Sequence, residues 1–252
     1  MDGFPPRLSP SLLRPGVAHL FLARPEGLLA AAPAHLAWLS VEERERASRF
    51  RQPGQGAQYR ATRVLLRGVL AGLLAQRPDA LSFVLQAHGR PSLAPGTAAL
   101  DFNASRSADW VTLVVTAGPA CGVDVEDTTR QVDVLSIARA FAPQERALLE
   151  GAPEEERRRH FFQLWTLKEA TLKALGTGLT LSLGACAFRL APSTPPRVTF
   201  GRELGEADEG WFFHHWMPDS HHLVAVAVRS APPLEVVLHQ DEETCAAVAA
   251  LG

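Results

Sequence analysis

The sequence predicts an α+β protein that is built from two similar halves. Each half begins with a short apolar strand, continues through a long helix and ends on a valine-rich strand. The chain has 252 residues, which is enough for one large core or two smaller ones. A glycine-proline pair at 118–119 interrupts the pattern midway, and such pairs favour a break between elements. We therefore predict halves at 1–118 and 119–252.

The elements of the first half follow from helix caps and from the spacing of apolar residues. Ser40 and Glu43 have the spacing of a capping box, which predicts a helix that begins at Val41. Apolar residues recur at helical spacing over 56–75, which predicts the long helix of this half. Apolar and β-branched runs predict four strands, at 17–23, 81–85, 99–104 and 110–116.

The second half repeats this order of elements. It opens with a predicted strand at 120–126, and its long helix is predicted at 154–175. Gly176 is placed to end that helix, and Asp133 is placed to cap an earlier, shorter one. The remaining predicted elements are two short helices, three strands and a C-terminal helix, at 134–141, 143–149, 185–190, 211–217, 222–229 and 241–251.

Composition limits the classes of protein to which the chain can belong. Hydrophobic residues make up 46% and charged residues 21%, as in globular proteins. A net charge of −2 argues against a general polyanion binder, so we expect no nucleic-acid partner. We expect no signal peptide, because the N-terminus has no basic region and no apolar h-region. We expect no membrane partner, because no apolar run approaches the roughly 20 residues that span a bilayer. Three scattered cysteines indicate neither a disulfide framework nor a cysteine metal site, which fits a cytoplasmic location.

Two carboxylates stand on one predicted strand. Asp124 and Glu126 are two residues apart, so their side chains point to the same face. On the long helix, Trp165, Glu169 and Lys173 are four residues apart and also share a face. A carboxylate pair that faces a glutamate on a helix would form an oxygen cage that suits Mg²⁺. Taken singly, each residue also fits an ordinary solvent-facing strand or a surface pair of Glu169 with Lys173.

A family resemblance lies in two stretches, GVDVE at 122–126 and WTLKEATLK at 165–173. In this order they resemble the paired motif of the Sfp-type 4′-phosphopantetheinyl transferases, and the likeness extends over most of the chain, from about Ser40 to Arg229. The resemblance implies transfer of the phosphopantetheine arm of coenzyme A to a serine of an acyl or peptidyl carrier protein, with release of adenosine 3′,5′-bisphosphate. It also implies two pseudo-symmetric α+β halves with the active site in the cleft between them.

The resemblance also assigns the chemistry of the second half. It implies that Mg²⁺, or Mn²⁺ in its place, is bound by Asp124, Glu126 and Glu169, with coenzyme A as substrate. Glu169, directly or through a metal-bound water, becomes the base for the serine hydroxyl. Lys173 becomes the cation that stabilises phosphate charge, and Trp165 is expected to pack. The residues of this half that are expected to contact coenzyme A are Asp124, Lys168 and Lys173.

The first half is expected to supply further contacts with coenzyme A. Arg63 matches an arginine that contacts the nucleotide, and Arg90 and Pro91 match the Gly-Lys-Pro turn of the family. Ser105 and Arg106 lie in the segment FNASRS, where the family has F-N-x-S-H-S. Arg106 replaces the histidine, so the position keeps a positive charge but does not titrate near neutral pH. We expect Arg106 to bind phosphate; the alternative is that it points to solvent.

Several alternatives remain open at this level. A catalytically silent coenzyme A- or carrier-binding protein is the second hypothesis, supported only by Arg106. A Mg²⁺-dependent nuclease or phosphatase would account for the carboxylates but not for the helix motif. Four histidines flank a predicted hairpin turn, where we expect hairpin surface and no metal site: His214, His215, His221 and His222. The chain length suggests a pseudo-dimeric monomer, and the carrier protein is not specified.

Overall fold

The structure is a computed structural model that describes residues 8–31, 33–86, 88–96, 99–107, 109–178, 183–191, 194–230 and 233–251. Helices and strands are both distributed along these residues, which confirms the predicted α+β class. The strands, in chain order, are β1 (Val17–Ala23), β2 (Phe83–Leu85), β3 (Pro91–Leu93), β4 (Asp101–Ser107), β5 (Trp110–Thr116), β6 (Cys121–Asp127), β7 (Cys186–Arg189), β8 (Arg197–Phe200), β9 (Phe212–Trp216), β10 (His222–Val228) and β11 (Glu235–Gln240). The α-helices, in chain order, are α1 (Pro25–Ala31), α2 (Val41–Ser48), α3 (Pro53–Leu74), α4 (Val134–Ala138), α5 (Pro143–Gly151), α6 (Glu154–Leu175) and α7 (Glu242–Ala249).

Capping residues set where several of these helices begin and end. Ser40 and Glu43 form the predicted capping box of α2: the Ser40 hydroxyl accepts from the Glu43 nitrogen at 3.2 Å, and the Glu43 carboxylate accepts from the Ser40 nitrogen at 2.9 Å. Asp133 caps α4 by accepting from the backbone nitrogen of Ser136 at 3.1 Å. Gly176 ends α6 with a φ of +70°, a conformation that glycine adopts without strain.

Backbone contacts divide the chain into two compact units. The first contains the described residues up to Leu85, then Pro91–Gly118, and then the described residues from Glu235. The second contains the described residues of Gln86–Arg90 and of Pro119–Leu234. One of the boundaries between the two units therefore falls between Gly118 and Pro119, at the break that the sequence pattern predicts.

Each unit has its own main sheet, and the strands of the two sheets pair in the same pattern. The strand order is β11-β1-β5-β4 in the first unit and β6-β10-β9 in the second. β1 is antiparallel to β5, and β5 to β4; β6 is likewise antiparallel to β10, and β10 to β9. The hairpins β2-β3 and β7-β8 form separate small sheets. The repeated order of elements in the sequence thus corresponds to a repeated topology.

The C-terminal segment adds a strand to the first sheet. β11 lies parallel to β1, with Val17 opposite Glu235 and Leu22 opposite Gln240. The following helix, α7, places Val248 in the core of the first unit. The prediction that 119–252 forms one half is therefore wrong for the described residues from Glu235. Pairing between the two ends of a chain leaves no signal in local periodicity, which is why the sequence pattern did not show it.

A long helix packs on one face of each main sheet. α3 supplies much of the core of the first unit, and α6 supplies much of the core of the second. α6 lies on the face of β6 that carries Gly122, Asp124 and Glu126. None of the helices in the described ranges is long and apolar enough to cross a membrane.

Candidate active site on β6 and α6

The backbones of β6 and α6 approach each other closely at Gly122. A Cβ atom at this position would lie 1.9 Å from the carbonyl oxygen of Ala170 and 2.6 Å from the backbone nitrogen of Ala174. Any side chain here would force the strand and the helix apart. The small residues on both elements therefore allow backbone contact, which brings the side chains of Asp124 and Lys173 within reach of each other.

Arg90 fixes the end of α6 to the start of β6. Its guanidinium donates to the carbonyl oxygens of Lys173 at 2.8 Å and Ala174 at 2.9 Å, and to that of Cys121 at 3.0 Å. The last carbonyls of a helix lack partners within the helix, and a cation is favourable there. Arg90 thus has a supporting role in the second unit, and its predicted contact with coenzyme A stays a prediction.

Asp124 and Lys173 form an ion pair between the strand and the helix. The Lys173 ammonium lies 2.6 Å from Oδ1 of Asp124 and donates to the carbonyl oxygen of Val123 at 3.2 Å. The Asp124 side chain is 6% exposed and that of Lys173 is 27% exposed, so the pair lies at the edge of the core. Two of the predicted site residues are therefore in direct contact.

Glu126, the second carboxylate of β6, is held by two donors. Its Oε1 accepts from the indole nitrogen of Trp165 at 2.7 Å, and its Oε2 accepts from Nε of Arg130 at 2.9 Å. Burial raises the pKa of Glu126, and the negative charge of Asp124 raises it further, while Arg130 and Trp165 oppose the shift. Trp165 therefore orients a carboxylate of the site, which the expectation of packing alone did not include.

Glu169 faces the carboxylates of β6 from α6. Burial, and then the nearby charge of Asp124, raise its pKa to about 6, with Glu126 adding to the shift and Lys173 opposing it. Its Oε1 is buried and has no hydrogen-bond partner among the described residues. A desolvated carboxylate with a raised pKa and an unsatisfied oxygen is a candidate for a metal ligand or a general base.

The charge distribution of the site suits a divalent cation, although two of its three carboxylates are bonded to protein donors in this structure. In the part of the chain that the structure describes, no group of three or more His, Cys, Asp or Glu residues is arranged to hold a metal ion. Asp124 is engaged by Lys173, and Glu126 by Arg130 and Trp165. The unsatisfied oxygen of Glu169 and the repulsion among the three carboxylates are what a hard cation would relieve. The predicted ligand set stays a prediction.

Lys168, by contrast, is not a surface residue of this site. Its ammonium lies 2.7 Å from Oε2 of Glu145 on α5, and the two side chains are 0% and 1% exposed. It also donates to the carbonyl oxygens of Leu183, at 2.8 Å, and Cys186. The prediction that Lys168 contacts coenzyme A is wrong, because its charge is satisfied inside the core of the second unit. No pattern in the sequence indicated Glu145 as its partner.

The remaining predicted contacts with coenzyme A belong to the first unit. Arg63 donates from Nε to Glu43 at 2.6 Å, within the cluster that caps α2. Arg106 lies over the rings of Phe50 and Tyr59, at 5.9 and 5.8 Å from their centroids. Arg106 is exposed as a whole residue, and partial desolvation of its guanidinium, together with the nearby charge of Arg46, lowers its pKa. Pro91 begins β3, and Ser105 is a buried residue of β4. The contacts predicted for Arg63, Pro91, Ser105 and Arg106 stay predictions.

The histidine cluster is not uniformly on the surface. His222 is 3% exposed, and its Nδ1 lies 2.9 Å from Oδ1 of Asp219 in the turn before β10. The expectation of hairpin surface is therefore wrong for His222, because its ring is buried and its Nδ1 is paired with the carboxylate of Asp219. His214 and His215 lie on β9, where His214 is exposed and His215 is half-buried, and partial desolvation lowers the pKa of both.

Comparison with known proteins gives the class of enzyme. The model of the 4′-phosphopantetheinyl transferase superfamily matches residues 120–227, which include β6 and α6. The 4′-phosphopantetheinyl transferase HetI of Nostoc sp. is 33% identical over 195 residues, which cover 76% of this chain and 79% of that protein. The 4′-phosphopantetheinyl transferase Sfp of Bacillus subtilis is 28% identical over 155 residues, which cover 62% of this chain and 68% of that protein.

Among solved structures, the holo-[acyl-carrier-protein] synthase of Thermotoga maritima is 24% identical and matches with a TM-score of 0.35 over 45% of this chain and 64% of that one.

The identity and coverage of HetI place this chain in a family: it belongs to the 4′-phosphopantetheinyl transferase superfamily. The resemblance that the two sequence motifs carry is thereby confirmed, and the protein is a phosphopantetheinyl transferase.

Proposed function

We propose that the protein transfers the 4′-phosphopantetheine arm of coenzyme A to a serine hydroxyl of an apo acyl or peptidyl carrier protein, in a Mg²⁺-dependent reaction that releases adenosine 3′,5′-bisphosphate. The observation that carries the proposal is the convergence of Asp124, Glu169 and Lys173 where β6 meets α6. In a chain of this superfamily, these residues supply a base and a phosphate-stabilising cation in one place.

Glu169 is the general base of the proposed reaction. With a pKa of about 6, it is mostly ionised at neutral pH and still basic enough to take a proton in the transition state. Its unsatisfied Oε1 accepts the proton of the serine hydroxyl, directly or through a water molecule. The serine oxygen then bonds to the phosphorus that carries pantetheine, and the bond from that phosphorus to the leaving bisphosphate breaks.

Lys173 stabilises the negative charge that develops on the leaving phosphate. Its bond to Asp124 at 2.6 Å holds the ammonium in position before the substrate arrives. When bound, Mg²⁺ supplies further positive charge beside the pyrophosphate of coenzyme A. Asp124 and Glu169, with Glu126 beside them, are the residues that would hold this ion.

We also propose the partners, the oligomeric state and the location of the enzyme. Its partners are coenzyme A and a carrier protein, without a nucleic-acid or membrane partner, and it acts as a monomer in the cytoplasm. Three scattered cysteines that do not have the pattern of a disulfide framework support a reducing compartment.

A panel of apo-carrier proteins tests the proposal. Each carrier is incubated with the protein, coenzyme A and Mg²⁺, and its intact mass is read. The proposal predicts a gain of one phosphopantetheine on at least one carrier, lost with Asp124→Asn and retained with Glu150→Gln, which removes an exposed carboxylate of α5. If no carrier gains mass although coenzyme A binds, the silent coenzyme A-binding protein replaces the transferase, and Arg106→His is the first variant to assay.

A further inference from the structure

Both carboxylate oxygens of Glu126 accept a hydrogen bond from a side chain of the protein. Trp165 donates to Oε1 at 2.7 Å, and Arg130 donates to Oε2 at 2.9 Å. The Glu126 side chain is 17% exposed and that of Arg130 is 39% exposed, so this ion pair is partly shielded from solvent. Asp124 and Glu169 face the same region as Glu126, and Glu126 is the carboxylate with which Arg130 forms its ion pair.

The turn after β6 is built so that Arg130 folds back over Glu126. Oδ1 of Asp127 accepts from the backbone nitrogen and from the hydroxyl of Thr129, both at 2.7 Å. This is the side-chain hydrogen bonding by which aspartate commonly stabilises turns. Thr128 donates from its backbone nitrogen to the carbonyl oxygen of His221 at 2.7 Å. These bonds fix the direction of the chain between the strand and Arg130.

A second arginine holds Arg130 in this position. Arg158 of α6 donates to the carbonyl oxygen of Thr128 at 2.7 Å and also to that of Arg130. The guanidinium groups of Arg158 and Arg130 both lie over the ring of Phe162, at 5.2 and 5.5 Å from its centroid. The backbone and the side chain of Arg130 are thus both fixed, so its contact with Glu126 is part of the fold.

We propose that Arg130 is an internal counter-ion that competes with the divalent cation for Glu126, and that it thereby sets the cation affinity of the site. The inference rests on the proposed function, because it assumes that the carboxylates bind a divalent cation. An arginine stays charged at every working pH, so its repulsion of a nearby cation is constant. A cation that takes Oε2 of Glu126 as a ligand must compete with the guanidinium of Arg130, which lies 2.9 Å from that oxygen.

This arrangement gives Arg130 and Lys173 different roles. Lys173 is bonded to Asp124 and belongs to the matched helix motif, whereas Arg130 lies in the turn between the two motifs. Arg130 neutralises part of the acidic site when no cation is bound, which lowers the electrostatic cost of keeping the carboxylates together. The loss of its charge should therefore tighten cation binding and also lower the stability of the protein without a cation.

The test is the affinity for Mn²⁺, used as a probe in the absence of coenzyme A and carrier protein and measured by the paramagnetic resonance signal of the free ion. Arg130→Gln should bind Mn²⁺ about fivefold more tightly than the wild type, since one nearby positive charge is removed. Arg139→Gln, which removes a solvent-exposed arginine just after α4, is the matched control and should bind as the wild type does.

Two further variants keep the test decisive. Arg130→Met retains a long apolar stem that can pack on Phe162, so it reports the loss of charge if the glutamine variant does not fold. It should show the same gain in affinity. In a Glu126→Gln background there is no carboxylate to compete for, and the gain from Arg130→Gln should fall to less than about twofold.

The possible outcomes separate this inference from the proposed function. Unchanged or weaker Mn²⁺ binding by both Arg130 variants would overturn the inference, while carrier modification by the wild type with Mg²⁺ would leave the proposed function standing. A gain in Mn²⁺ affinity from Arg130→Gln that is equally large in the Glu126→Gln background would also overturn the inference, because Arg130 would then not be competing for the carboxylate of Glu126. A wild-type protein that binds no Mn²⁺ would overturn both the inference and the Mg²⁺ dependence of the proposed function.

Discussion

The ammonium of Lys173 lies 2.6 Å from Oδ1 of Asp124, and this contact joins the two sequence motifs of the chain. It depends on Gly122, whose missing side chain lets β6 touch the backbone of α6. The same contact places Glu169 where the charge of Asp124 raises its pKa. One close approach of a strand to a helix therefore accounts for the position of the base, the cation and a carboxylate.

Lys173→Gln should lower the rate of transfer while leaving the fold intact. The substitution removes the cation proposed to stabilise the leaving phosphate, and the loss of one such group typically costs roughly 100- to 1,000-fold in kcat. The measurement is the single-turnover rate of carrier modification at saturating coenzyme A. Lys173→Arg, which keeps the charge, should retain more activity than Lys173→Gln. Equal losses of activity in the two variants would show that the positive charge of Lys173 does not stabilise the leaving phosphate.

Gly122→Ala should destabilise the protein strongly. Its Cβ atom would lie 1.9 Å from the carbonyl oxygen of Ala170, so α6 must move. Overpacking of this kind costs about 1–3 kcal/mol or more, and each kcal/mol lowers Tm by roughly 2–4 °C in a chain of this size. Thermal unfolding measures the change. Gly54→Ala, where a Cβ atom would meet nothing within 4 Å, is the control and should not lower Tm.

Lys168→Met should lower stability because it leaves the carboxylate of Glu145 buried without its counter-ion. The removal of one partner of a buried ion pair typically costs about 3–5 kcal/mol. Urea-induced unfolding measures this loss. If the coenzyme A Michaelis constant of Lys168→Met rises while its stability is unchanged, the structural role assigned to Lys168 is wrong.

Much of the site was predictable from the sequence, because its geometry follows from local periodicity. Alternation along β6 puts Asp124 and Glu126 on one face, and helical spacing puts Trp165, Glu169 and Lys173 on the facing side of α6. The capping box of α2, the aspartate cap of α4 and the glycine that ends α6 were predictable for the same reason.

Other features depend on contacts between distant parts of the chain. Lys168 has the same spacing signal as a site residue, and only its burial against Glu145 shows that it is structural. Arg130 lies in a turn, where no periodicity indicates that its side chain returns to Glu126. β11 pairs with β1 from the opposite end of the chain. Short elements such as β8, with four residues, also give too little pattern to be predicted.

Glu169→Gln should raise the stability of the metal-free protein at neutral pH. The pKa of Glu169 is raised from 4.5 to about 6 in the folded state, so the folded protein holds a proton that the unfolded chain releases near pH 4.5. The wild type therefore loses stability as the pH rises from 4.5 to 6, and the penalty is complete above this range. Glutamine does not ionise, so the variant avoids the penalty.

The measurement for this variant is Tm in EDTA at several pH values. Glu169→Gln should melt at a higher temperature than the wild type at pH 7.5, and the difference should shrink toward zero as the pH falls below about 4.5. The Glu150→Gln variant of α5 is the control for a general effect of removing a carboxylate. A Tm difference that is the same at pH 7.5 and at acidic pH would show that burial does not raise the pKa of Glu169.

The most direct measurement of the central claim is the intact mass of an apo-carrier protein after incubation with this protein and coenzyme A, with Mg²⁺ in one sample and EDTA in the other. The account predicts that the carrier gains one phosphopantetheine with Mg²⁺ only, and that Glu169→Gln slows the gain while Glu150→Gln does not. A carrier that gains the same mass in EDTA, or at an unchanged rate with Glu169→Gln, would contradict it.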